Sequence, residues 1–211
     1  RTQLGLDKPV LQQLFDWYGG LFRGDLGQSI LLGRGVTEAM LERLPVSGSL
    51  ALYALLLTVV FGLAGGLVAA LRNNSWIDQA CMTLALLGVS VPNFWLGLML
   101  IILFSVHLGW LPTGGYVPFT EDFLSWLRTA TLPAISLALM QVGLLARMTR
   151  STMVETLGQD YIRTAQAKGL PESVVVGKHA LANVMIPIVT VIGIIFSLLV
   201  SGAVVIESVF S

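Results

Sequence analysis

The chain has 211 residues, with twelve basic and twelve acidic side chains and a formal net charge of zero. Hydrophobic residues make up 55% and charged residues 11%, against about 25% charged in a soluble domain. With a mean hydropathy of +0.82, this composition excludes an ordinary soluble domain and gives no charge argument for nucleic acid or an acidic partner surface. The single cysteine, Cys81, excludes an internal disulfide framework, and two histidines far apart in sequence argue against a structural zinc site.

The chain opens on Arg1 with no signal-peptide pattern and reads as a fragment or processed chain. Residues 1–45 are mixed in polarity and hold no stretch approaching the ~20 apolar residues of a membrane helix. Leu11, Leu14, Phe15, Tyr18 and Phe22 recur at helical spacing, predicting a short amphipathic helix that ends at Gly19-Gly20 or soon after, in an interfacial or loop segment. From Leu44 to Leu71 there is no charge, with Arg43 and Arg72 as brackets. At ~1.5 Å per residue that run crosses ~30 Å of hydrocarbon, and the first span is placed at about 46–71. Gly62 and Gly66 form a small-xxx-small pair that fits either close helix approach or unspecialised packing.

After the polar turn Arg72 to Asp78, no Lys, Arg, Asp or Glu occurs until Glu121. The second span falls at about 82–107. Pro92 removes a backbone hydrogen bond there and bends it, with Ser90 and Asn93 at hand to satisfy freed groups. Gly109 to Arg128 reads as a loop with interfacial Trp110, Tyr116 and Trp126. The third span, about 131–148, has only fifteen uncharged residues and extends toward Thr149, with Arg147 and Arg150 snorkelling to the headgroups. The fourth, about 186–206, starts at Pro187, carries Ser197 and Ser201, and is closed by Glu207. Four polar groups within apolar spans, Ser90, Asn93, Gln141 and Ser201, either line a translocation pathway or only tie helices together.

Arg147, Arg150, Arg163, Lys168 and Lys178 share one connection, against Arg128 alone in the 109–130 loop, so the former connection is predicted cytoplasmic and the 1–45 segment external. In this cytoplasmic loop, 149–183, Met148 to Gly158 and Asp160 to Lys168 read as short helices, the second with Asp160 as N-cap and Gly169 as terminator, and Pro171 starts a third. Tyr161, Thr164, Ala165 and Lys168 share a face with Ala167 nearby. Small side chains flanked by an aromatic ring and a cation fit a groove on another protein; a solvated loop whose charges enforce topology fits the same pattern. No nucleotide-binding loop is present, because around Gly177-Lys178 the earlier glycine is replaced by Glu172 and the following Ser or Thr by His179.

Six stretches then carry a resemblance over essentially the whole chain: Leu4 to Pro9, Gly24 to Ser29, Gly88 to Gly97, Leu108 to Pro112, Arg163 to Gly169 and Glu207 to Phe210. The chain resembles the membrane subunits of ABC importers, in the dipeptide, oligopeptide and nickel permease family. The resemblance implies an all-α type I importer transmembrane domain, six spans in the full subunit with the first and last missing here, and a bacterial or archaeal cytoplasmic membrane. It implies a second similar permease subunit, an external solute-binding protein, and two ATPase subunits that bind ATP and Mg, with no cofactor or metal in this chain. Tyr161, Arg163, Thr164, Ala165, Ala167, Lys168 and Gly169 fall on the family's ATPase-coupling helix, although Arg163 and Thr164 stand where the general importer pattern has an acidic residue and an alanine.

Peptides are the expected solute and nickel or another small solute the alternative, on family frequency rather than on a residue. An intramembrane protease would need a Gly-x-Ser-Gly elbow, which Leu199-Val200-Ser201-Gly202 lacks, and a histidine partner. A passive channel would need a polar ring or selectivity filter, and neither is evident.

Overall fold

A computed structural model describes residues 9–30 and 33–210, so most of the Leu4 to Pro9 stretch lies outside the described residues. The chain divides into two compact units, Arg1–Val46 and Ser47–Ser211. In the first, helix α1 (Val10–Phe22) continues through Gly19-Gly20 and has no buried residue. A two-stranded antiparallel hairpin, β1 (Gln28–Ser29) and β2 (Arg34–Gly35), follows, with Ser29 opposite Arg34. Gly24 and Gly27, at φ +78° and +84°, supply the left-handed turns that bring the Thr37 hydroxyl onto the Gly24 carbonyl at 2.9 Å.

The second unit is built on long helices: α2 (Val36–Leu71) from Ser47 onward, α3 (Trp76–Ser90), α4 (Asn93–Leu100), α5 (Phe123–Leu157), α6 (Asp160–Ala167), α7 (Glu172–Val174) and α8 (Leu181–Phe210). Three continuous helical stretches, Val36–Leu71, Phe123–Leu157 and Glu172–Phe210, are long and apolar enough to cross a membrane. At ~1.5 Å per residue each exceeds the ~30 Å hydrocarbon thickness. The fourth candidate is broken: α3 and the helix running from Asn93 to His107 meet at an angle of 100°. Val91 and Pro92 are both extended there, since the ring has no N–H to donate and disfavours a helical residue before it.

Whether this bent pair crosses or folds back is decided by which ends of the helices meet. At one end Arg150, late in α5, pairs with Asp78 at the start of α3. At the other, the Ser47 hydroxyl donates to Glu207 at 2.5 Å, the hydroxyls of Ser49 and Tyr116 lie 3.3 Å apart, and the Gly115 N–H donates to the Phe210 carbonyl. In between, Gly88 faces Leu139 and Gly202 faces Leu137. Helices α2 and α5 therefore run the same way, and the α3–α4 pair and α8 run back. Two parallel helices joined through the pair require it to traverse the bundle.

Several sequence expectations are corrected. Met148 to Gly158 is no separate helix but the last three turns of α5, whose charged residues sit past the apolar stretch and do not interrupt its backbone ladder. Pro187 lies inside α8, not at its start, and a continuous helical run leads into it from Glu172. The N-cap of α6 is Gln159, with Asp160 the first helical residue.

Candidate functional site: the projecting helix α6 and its mountings

Helix α6 sits between the end of α5 and the start of α8, at the end where Arg72, Arg150 and Lys178 also lie. Its eight residues would be marginal alone, and its stability comes from what holds it. Ile162 is fully buried and Ala165 is 8% exposed, both within the core cluster that holds Met153, Val175 and Val184. The Tyr161 hydroxyl accepts from the Asn183 amide at 2.9 Å, tying α6 to the first turn of α8.

The helix stops on a Schellman motif. Gly169, at φ +78°, has its N–H on the Gln166 carbonyl at 2.9 Å, and the Leu170 N–H reaches the Ala165 carbonyl at 3.4 Å. The buried Ile162–Ala165 edge turns the other face outward: Arg163, Thr164, Gln166, Ala167, Lys168 and Gly169 are exposed, and so is Tyr161 at 42%. Ala165, grouped with the outward face from its spacing, belongs to the inward edge. The Thr164 hydroxyl donates back to the Asp160 carbonyl at 2.9 Å, and Arg163 lies 3.5 Å from Asp160 in an exposed pair, worth at most about 1 kcal/mol. The guanidinium is thus left available to a partner.

Sequence reasoning missed a buried ion pair at the same end of the bundle. Asp78 is 3% exposed and receives Arg150 in a two-point contact, Nε to Oδ1 at 2.5 Å and Nη2 to Oδ2 at 2.6 Å. Arg150 Nη2 also donates to Asn73 Oδ1 at 2.9 Å, and the Asn74 N–H donates to Asp78 at 2.9 Å. Asn74 adopts φ 62°, the one positive-φ non-glycine among the described residues, and its left-handed turn aims that N–H at the carboxylate. Signals were present: Asp78 is the last charge before a long apolar run, and Arg150 lies just past a short one.

The four candidate pathway residues are not brought together by hydrogen bonds. Ser90 and Ser201 are exposed and donate to carbonyls of their own helices, Leu86 at 2.8 Å and Ser197 at 3.1 Å. Asn93 is half-buried at the α3–α4 break, and Gln141 is 5% exposed with its Oε1 unpartnered. None of the four lines the groove of about 500 Å³ between α2 and α5, whose walls include Tyr53, Leu57, Phe61 and Leu139. Ser201 makes no hydrogen bond to either histidine, and His107 and His179 stand at opposite ends of the bundle.

Apolar helices of membrane length, a traversing broken pair and a small helix mounted at the basic end define a multi-pass α-helical membrane protein. Residues 62–211 match the family described as binding-protein-dependent transport system inner membrane component, and the chain belongs to that family. It is 54% identical, over its whole length and 67% of the relative's, to a protein of Brucella suis biovar 1 named provisionally as a peptide transport system permease protein. It is 43% identical to the di/tripeptide transport system permease protein DppB of Pseudomonas aeruginosa, over 99% of this chain and 68% of that one. It is 41% identical to the glutathione transport system permease protein GsiC of Escherichia coli K12, over 100% of this chain and 66% of that one. The chain thus spans about two thirds of the length of these relatives.

Proposed function

We propose that this chain is the membrane-embedded subunit through which an ATP-driven importer passes peptides handed over by an external binding protein. One of two ATPase subunits docks on α6, and the pair, with their ATP and Mg, supplies the energy; a second similar membrane subunit completes the pathway across a bacterial cytoplasmic membrane. The observation that carries this reading is the mounting of α6. A short helix held by Ile162, Ala165, Tyr161 and the Gly169 terminator, with a cationic and small-residue face turned outward, is a rigid knob for a groove on another protein. The sequence has no phosphate-binding loop of its own, which supports placing hydrolysis in other subunits. The names of the relatives, peptide, di/tripeptide and glutathione permeases, favour short peptides over nickel.

The mechanism follows from the connections. Closure of the ATPase pair pushes the knob, and the push enters α5 through the two-residue link Gly158-Gln159 and α8 through the Tyr161–Asn183 hydrogen bond. Helices α5 and α8 then tilt, and the pathway between the membrane subunits opens alternately to the two sides. The complete importer in proteoliposomes, supplied with binding protein and inside ATP, should take up labelled di- or tripeptides. Uptake that persists without the ATPase subunits would favour a passive channel instead.

A further inference from the structure

Helices α5 and α8 are joined to α6 by chain and hydrogen bond, whereas α2 and α3 meet α5 by side-to-side packing, as at Gly66 and Gly88. The geometry points to the Asp78–Arg150–Asn73 cluster as the polar fastening of that packing: a clamp that ties the α2–α3 turn to the basic end of α5, so that the turn travels with α6 during the transport cycle. This inference rests on the importer reading above.

The cluster is built to stay closed. Both carboxylate oxygens of Asp78 are engaged by one guanidinium, the Asn74 N–H adds a third donor, and Arg150 reaches across to Asn73 on the far side of the turn. The Asp78 side chain is 4% exposed and that of Arg150 26%, so opening would strand a buried carboxylate without its counter-charge. The geometry is two-point, which fixes orientation as well as distance. A second contact lies about one helical turn away: Gly66 of α2 abuts the Ala146 carbonyl and Thr149 of α5 so closely that a Cβ there would meet both within 2.6 Å. The turn is therefore held to α5 on both its α2 and α3 sides. From Arg150 the helix continues unbroken to Leu157, and α6 begins at Asp160. A displacement of α6 reaches Arg150 through seven residues of rigid helix and passes by the guanidinium into α3.

A static staple would stabilise the fold without affecting coupling, and a gate would open during the cycle. A transmission clamp keeps its distance fixed and, when weakened, lowers the work obtained from each ATP. Spin labels at Trp76→Cys and Ser151→Cys, both exposed positions flanking the pair, in a Cys81→Ser background leave the clamp itself intact. In the complete reconstituted importer, the label distance is expected to be the same in the nucleotide-free and ATP-trapped states, and a shift between the two overturns the clamp. Arg150→Met is expected to keep ATPase subunits bound and hydrolysing while uptake per ATP falls roughly tenfold, with partial recovery in the reversed pair Asp78→Arg with Arg150→Asp, which restores the ion pair but not the bonds to Asn73 and Asn74. Unchanged uptake per ATP in an assembled Arg150→Met importer also overturns it. An unmodified importer without binding-protein-dependent uptake would instead refute the underlying importer reading.

Discussion

The parallel crossing of α2 on α5 depends on a glycine, and replacing Gly66 with alanine tests it. A Cβ at this position would lie 2.5 Å from the Ala146 carbonyl oxygen and 2.6 Å from the Thr149 Cβ. Ordinary contact begins at 3.4 Å, so the helices must part by about 0.9 Å, and neither obstructing atom belongs to a flexible side-chain end. Overpacking of this kind costs about 1–3 kcal/mol. Gly65, one residue earlier on the same helix, is the internal control, because a Cβ there meets only the Ala146 Cβ at 3.9 Å. Gly65→Ala should be neutral or stabilise by up to about 1 kcal/mol through helix propensity alone. Unfolding of the two variants by SDS titration in mixed micelles gives the difference directly. Equal stability of Gly66→Ala and Gly65→Ala would refute the close approach of α2 to α5 at Gly66.

Two further predictions concern local structure. Ala165→Trp should destabilise the fold by about 1–3 kcal/mol because Ala165 is buried, whereas Ala167→Trp on the exposed face should leave melting unchanged and impair ATPase-subunit binding, read by co-purification. Asp122 caps α5: it accepts from the Ser125 hydroxyl and from the Ser125 and Leu124 N–H groups, and these hold its carboxyl below the ordinary value of 3.8. Its folded pKa is depressed, so the cap's contribution is present above the unfolded value and lost as pH falls through the folded one. Asp122 should be more than half ionised at pH 3.8, which carboxyl carbon NMR shifts can check.

How far the sequence could be read depended on the range of the forces involved. Solvation acts residue by residue, so uncharged runs such as Leu44 to Leu71 and Ile186 to Ile206 revealed the apolar helices of the bundle. Local backbone chemistry was nearly as legible: Pro92 marked the α3–α4 break and Gly169 the end of α6, although the 100° angle of the break is set by packing that no dipeptide encodes. Charge misled at α5, where Arg147 and Arg150 suggested a boundary. A helix continues past the membrane edge when its charged residues have solvent or a partner, and Arg150 has Asp78, 72 positions away. That pairing, like the seating of Gly66 on Thr149, exists only once α2, α3 and α5 have docked. The spacing argument for α6 grouped Tyr161 with Ala165 without knowing which edge the core would claim, and Ile162, fully buried, drew Ala165 inward.

On the proposed reading, another protein's ATP cycle enters this chain at α6. A photocrosslinking residue at Ala167, on the exposed face, in the complete importer within its native membrane would report what sits on that helix. Position 167 should crosslink to an ATPase subunit and Phe119, in the loop at the opposite end of the bundle, should not. A crosslink to the ATPase from position 119, or to lipid alone from position 167, would rule out α6 as the docking helix.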